Sequence, residues 1–226
     1  MKYQLIIFDL DDTLIDTWNC FLPVELKGAL LAMIQEGLVV EDVEKAFTLL
    51  MEINGKSPDG TSAIRKFLQK IGADERFLDV AIQSYYHCSH SDFKITPLPG
   101  VVETLPVLKK RYALALVSRG IERIQRLKVD KAGIDAKLFS DVIVTLNYDK
   151  GDAYQKLLLK QKCLPREALV VGDKYDSDLL PAKKLGMATV FMNHGRGKVF
   201  PPKKGEVDFM IHRLEELLVI VREKKL

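Results

Sequence analysis

The stretch "FDLDDTLID", Phe8 to Asp16, follows the apolar run "LII" and places three carboxylates, Asp9, Asp11 and Asp12, within four positions. Along an extended chain, residues two apart project the same way. Asp9 and Asp11 therefore crowd one pocket while Leu10 points back into apolar surroundings. Like charges this close oppose full ionisation unless a cation sits between them or one keeps its proton. The partners that resolve the conflict have to come from elsewhere in the chain.

Apolar runs of strand length recur at 4–8 ("QLIIF"), 112–117 ("YALALV"), 141–145 ("DVIVT"), 168–171 ("ALVV") and 188–192 ("ATVFM"). They are continuous rather than alternating, which suits strands buried on both faces of a parallel sheet. Helix-period segments lie between them. Val101, Leu105 and Leu108 form one stripe, and Leu214, Leu217, Leu218 and Val221 form another. From about residue 100 the alternation predicts a doubly wound, Rossmann-like α/β core. Between the first strand and residue 96 the pattern is helical instead, around 22–36, 41–52, 61–71 and 75–87, broken by "NGKSPDG" at 54–60. The expected arrangement is a core domain of residues 1–15 and 97–226 with a helical domain of residues 16–96 inserted, "TPLPG" at 96–100 bringing the chain back.

Composition limits the partners. The chain has 226 residues, 47% hydrophobic and 29% charged, enough for one large domain or two unequal lobes. A net charge of +3, from 34 basic and 31 acidic residues, makes no electrostatic case for nucleic acid or a membrane surface. Cys20, Cys88 and Cys163 are scattered and odd in number, as expected of free thiols in a reducing compartment. The N-terminal apolar run is too short to span a membrane and is cut by Asp9, so a cytoplasmic protein is expected. Nothing in the pattern chooses between a monomer and a homodimer.

Ligands of open α/β sheets bind at the carboxyl ends of strands, so the polar residues just after each strand are the ones to collect. These are Asp9 and Asp11, then Ser118, then Lys150, then Asp173 and Asp178 in "VVGDKYDSD". Asp173 joining Asp9 around a metal, with Asp11 carrying a proton, would resolve the crowding. An all-oxygen ligand set suits Mg²⁺ completed by phosphate oxygens. A hydroxyl at Ser118 and a cation at Lys150 could hold the remaining phosphate oxygens.

With "DLDDT", "LALVSRG", Lys150 and "VVGDKYDSD" in that order, the sequence resembles the haloacid dehalogenase (HAD) superfamily, its phosphatase branch with a helical C1 cap between the first two motifs. The resemblance implies Asp9 as the nucleophile that forms an aspartyl-phosphate and Asp11 as the acid and later the base. It implies phosphate contacts from Ser118 and Lys150, and Mg²⁺ held by Asp9, Asp173 and the backbone carbonyl of Asp11, with Asp178 supporting the metal shell. Thr13 would order the loop. Asp12 stands where glycine is frequent and reads as structural. Arg119, in "SRG", stands where asparagine is frequent and offers an extra anion contact. Lys150 is not followed by the usual proline, which makes Lys156 a rival, and Lys150 is preferred because it precedes its helix.

Other polar clusters read as ordinary structure. His87, Cys88 and His90 in "YYHCSH" lack a fourth ligand at suitable spacing for zinc. His194 and Arg196 read as a plain loop, Asp16 as a turn or helix cap, and Trp18 as a packing residue or a substrate wall. The function implied is a Mg²⁺-dependent phosphatase of a small phosphorylated metabolite such as a sugar phosphate, phosphoglycolate or a nucleotide. A phosphomutase and a non-catalytic binding module retaining the fold are the alternatives. Asp11 disfavours a dehalogenase, and unpaired convergent carboxylates would be costly in a mere binding module.

Overall fold

The computed structural model of the chain describes residues 3–86 and 93–222. The five apolar runs become strands β1 (Leu5–Phe8), β2 (Ala113–Arg119), β3 (Asp141–Thr145), β4 (Ala168–Gly172) and β5 (Ala188–Met192), and a sixth, β6 (Phe209–Ile211), joins them. All five pairings are parallel, in the order β3-β2-β1-β4-β5-β6. Leu5, Ile6, Ile7 and Phe8 of β1 and Leu169, Val170 and Val171 of β4 are fully buried, as central strands covered on both faces must be. Each such side chain contributes about 1.5–3 kcal/mol of burial. The strand order reverses between β1 and β4, and in sheets of this kind the crevice outside the carboxyl ends at that reversal is where ligands bind.

Ten α-helices accompany the sheet among the described residues. They are α1 (Thr17–Cys20), α2 (Leu22–Gln35), α3 (Val43–Gly55), α4 (Gly60–Ile71), α5 (Phe77–Tyr86), α6 (Val101–Lys109), α7 (Glu122–Lys131), α8 (Gly151–Lys160), α9 (Leu180–Lys184) and α10 (Leu217–Arg222). The chain divides into two compact units, one of residues Met1–Thr17 with Ile95–Leu226 and one of Trp18–Lys94. Helices are the regular elements of the second unit among its described residues. Its core joins Leu26, Leu30 and Met33 of α2 to Ile64, Phe67 and Leu68 of α4 and Ala81 of α5, and Trp18 packs half-buried against that core. Asp42 and Asp59 start α3 and α4 by accepting backbone N–H bonds from Glu44 and Lys45, and from Ser62.

In the first unit the two points where the helical segment departs and returns are tied together. Ile15 forms an isolated antiparallel bridge with Pro97, the Asp16 N–H donates to the Thr96 carbonyl at 2.9 Å, and the Leu98 N–H donates to that of Leu14 at 2.9 Å.

Two expectations need correction. The strand β6 is absent from the sequence reading because it is a three-residue edge strand with Met210 46% exposed, too short to show a periodicity. The last helix opens as a 3₁₀ turn, Leu214–Glu216, before α10, although the expected stripe holds, with Leu214, Leu217 and Val221 buried. Cys88, His87 and His90 lie outside the described residues.

Candidate active site

Asp9 follows β1 directly, and its N–H continues the sheet ladder to the Val171 carbonyl at 2.9 Å. The chain then turns tightly, with the Leu10 carbonyl accepting from the N–H groups of Thr13, Leu14 and Ile15. Asp12 takes a left-handed backbone conformation in this turn, φ +57°. That explains an aspartate where glycine is frequent, because a short polar side chain tolerates this region better than most. Thr13 is fully buried and its N–H closes the turn.

Asp173 emerges immediately after β4. Asp178 follows on a π-helical turn, Tyr175–Leu179, in which the Leu179 N–H reaches back to the Lys174 carbonyl. One extra residue in a turn re-aims the side chains it carries, and such turns often mark functional sites. Gly172 makes the approach possible. A Cβ there would stand 2.7 Å from that of Asp178.

Oxygens of Asp9, Asp173 and Asp178 lie within 4.8 Å of one another, all three residues being buried. Lys150, at the residue before α8, reaches into this group. Its ammonium donates to Asp9 Oδ1 at 2.5 Å and lies 2.8 Å from Asp178 Oδ1. Lys156 is exposed on α8, so of the two rival lysines Lys150 is the one that meets the carboxylates. Asp178 is further satisfied by the Lys174 N–H on Oδ2 and the Ser177 hydroxyl on Oδ1. Asp173 differs. Both its oxygens are buried and neither has a hydrogen-bond partner.

Electrostatics divide the group. Burial pushes Asp9 up to about 6, with Asp178 and Asp11 adding to the rise and Lys150 opposing it. Burial likewise raises Asp173 well above the usual carboxylate range. Burial works against the charge on Lys150, but Asp178 and Asp9 outweigh it and hold the lysine protonated. A buried carboxylate with no donor is costly. Asp173, without a donor, beside Asp9 offers only oxygen, a set that fits a hard divalent cation, which would offset the cost.

Asp11 is held quite differently. Burial would raise its pKa, but Lys128 from α7 outweighs it, with hydrogen bonds from Lys128, Thr17 and Gln125, and leaves Asp11 at about 2. Its Oδ1 accepts from Thr17 Oγ1 at 2.6 Å and Lys128 Nζ at 2.7 Å, and its Oδ2 from Gln125 Nε2 at 2.6 Å. Proton affinity is thus lowered at Asp11 and raised at Asp9. The reason is that Asp11 meets Lys128, a cation that the sequence reading did not pair with it. Gln125 Nε2 also lies 2.5 Å from Ser118 Oγ, at the buried end of β2. Gln125 and Lys128 were missed, although a polar pair spaced i, i+3 between Ile124 and Val129 on a helix's buried side is a readable signal.

Arg119, exposed at the end of β2, lies with its guanidinium 5.3 Å over the Tyr148 ring. The segment 193–197 is more than a plain loop. Gly195, Arg196 and Gly197 are buried, and a Cβ on Gly197 would meet the Asp173 carbonyl oxygen at 2.6 Å. His194 Nε2 lies 3.1 Å from Asp16 Oδ1.

With nucleophile-type carboxylates at β1, a hydroxyl at β2, a lysine before α8 and a carboxylate pair at β4, the arrangement is that of a phosphoryl-transfer hydrolase core. Residues 6–192 match the family model described as haloacid dehalogenase-like hydrolase, and the chain belongs to that family. Among its curated relatives are glyceraldehyde 3-phosphate phosphatases from Methanothermobacter thermautotrophicus, 32% identical over 84% of this chain and 85% of that protein, and from Methanocaldococcus jannaschii, 31% identical over 97% of both. The fold is shared with a predicted phosphoglycolate phosphatase from Haemophilus somnus, at TM-score 0.71 and 22% identity over 98% of this chain and 99% of that one. It is shared too with the HAD-hydrolase YfnB from Bacillus subtilis, a structure bound to magnesium, at TM-score 0.68 and 18% identity over 99% of this chain and 100% of that one.

Proposed function

We propose that the chain is a Mg²⁺-dependent phosphatase of a small phosphorylated metabolite, working through an aspartyl-phosphate on Asp9. The single observation that carries this reading is the buried carboxylate pair Asp9 and Asp173, one gripped by Lys150 and the other without any donor. The family of glyceraldehyde 3-phosphate phosphatases among its relatives makes a triose phosphate the first substrate to try.

In this reading Asp9, Asp173 and the Asp11 carbonyl hold Mg²⁺, supported by Asp178. The ion, when bound, neutralises charge on the transferring phosphoryl group. Lys150 fixes Asp9 through Oδ1 and, with the Ser118 hydroxyl, holds phosphate oxygens. Arg119 adds an outer anion contact. An Asp9 oxygen attacks phosphorus, the ester P–O bond breaks, and the leaving oxygen takes a proton from Asp11. Asp11, now ionised, takes a proton from water, whose oxygen attacks phosphorus. The Asp9–phosphorus bond then breaks and inorganic phosphate leaves. The proton that Asp11 takes from water is the one it gives to the next leaving oxygen, so its acid and base roles alternate and the cycle balances. Core residues 1–15 and 97–226 carry this chemistry, and the helical domain, 16–96, serves as a cap that selects the leaving group.

The test is phosphate release from a panel headed by glyceraldehyde 3-phosphate, with Mg²⁺ or with chelator. Metal-dependent release that Asp9→Asn abolishes is the expected result. Release that survives in Asp9→Asn would overturn Asp9 as nucleophile, and no release from any panel member would overturn simple hydrolysis.

A further inference from the structure

Gln125 and Lys128 stand one helical turn apart on α7, and both are buried, 3% and 5% exposed. Burying an amide and an ammonium is unfavourable unless each meets a partner, and both meet residues of the proposed reaction. We propose that Gln125 and Lys128 are positioning residues for Asp11, a bracket that fixes which carboxylate oxygen faces the leaving group and locks that oxygen to Ser118. This rests on the phosphatase reading.

The hydrogen-bond count supports it. Asp11 Oδ1 accepts two bonds, from Thr17 and Lys128, while Oδ2 accepts one, from Gln125. A carboxylate oxygen has about two acceptor sites, so Oδ2 is the oxygen with a place left for a reacting proton. The same Gln125 nitrogen contacts the Ser118 hydroxyl. One amide thus links the oxygen that handles the proton to the hydroxyl that holds phosphate. An acid placed to a fraction of an ångström is worth far more than a loosely held one.

The consequence is a selective defect. An ester with an alkoxide leaving group needs a proton as the P–O bond breaks, whereas 4-nitrophenolate departs without one. The measurement is kcat/KM, which reports steps up to formation of the aspartyl-phosphate, on ethyl phosphate and on 4-nitrophenyl phosphate with Mg²⁺. Gln125→Met and Lys128→Met are each expected to lower it about tenfold or more on the alkyl ester and less than about threefold on the aryl ester. Lys128→Arg should recover much of the loss. In an Asp11→Asn background, Lys128→Met should cost nothing further, because it acts through Asp11.

Equal losses on both esters, or full additivity with Asp11→Asn, would overturn the assignment and leave a structural role. If Lys128→Met fails to fold, Gln125→Met and the double variant Asp11→Asn/Lys128→Met, which removes both charges, decide the same question. Wild-type protein that hydrolyses neither ester would instead overturn the phosphatase reading, and this assignment with it.

Discussion

At the scale of single residues, Lys150 is the side chain on which most depends. It is 3% exposed and touches two buried carboxylates. Removing one member of a buried charged group leaves the others uncompensated, at about 3–5 kcal/mol. Lys150→Met should therefore lower unfolding free energy by about that amount in urea titrations, with Mg²⁺ restoring part of it and phosphatase activity lost. Lys156→Ala, on the exposed side of α8, should stay within about 0.5 kcal/mol of wild type and keep its activity. The residues whose place could be read from the sequence are those set at the carboxyl end of a strand: Asp9, Ser118 and Asp173. Lys128 could not be paired with Asp11 in advance, because the pairing depends on how far α7 is rotated against the sheet. Ile124 and Val129 of α7 are buried with it, and no spacing from Asp11 encodes that arrangement.

At the scale of elements, the site is built by short departures from regular geometry. The π-helical turn after β4 swings Asp178 toward Lys150, and the turn at 195–198 lays its backbone against Asp173. Gly197→Ala puts a methyl 2.6 Å from a backbone carbonyl, so the turn or the Asp173 segment must move. Activity should fall by about tenfold to a hundredfold although no carboxylate is altered, as expected when a reacting group is displaced by a fraction of an ångström. The check is kinetic assay beside circular dichroism, which should show the fold intact. Elements differed in legibility for a physical reason. Central strands announce themselves because both faces are covered and the run is wholly apolar. The edge strand β6 and the turn at 195–198 take their shape from neighbours, so their sequences, "FMI" and "GRGK", carry little pattern of their own.

At the scale of the whole molecule, the carboxylate group couples stability to pH and to cation. The folded pKa values of Asp9 and Asp173 are raised, so the stability they contribute is complete below their unfolded value near 3.8 and is lost as pH rises, through about 6 for Asp9. Asp11 has the opposite sign, but its window lies between about 3.8 and about 2. Mg²⁺ should therefore raise the Tm more at pH 8 than at pH 5, where protons compete for the same oxygens. Differential scanning fluorimetry with and without chelator measures this directly. Because the chain leaves and re-enters the first unit at hydrogen-bonded neighbours, replacing 18–94 by a short Gly/Ser linker should leave the sheet able to fold and to respond to Mg²⁺. The same feature has a bearing on synthesis. Leu5–Phe8 is made before its neighbour β2, and the paired residues Leu5 and Ala113 lie 108 positions apart along the chain (113 − 5). At about 5–20 residues per second, the ribosome leaves the most apolar strand of the sheet unpaired for roughly 5–20 s while the intervening helices form. The protein's most exposed moment for aggregation is thus during its own translation, when a nascent chain already holding β1 waits for the sheet that will bury it.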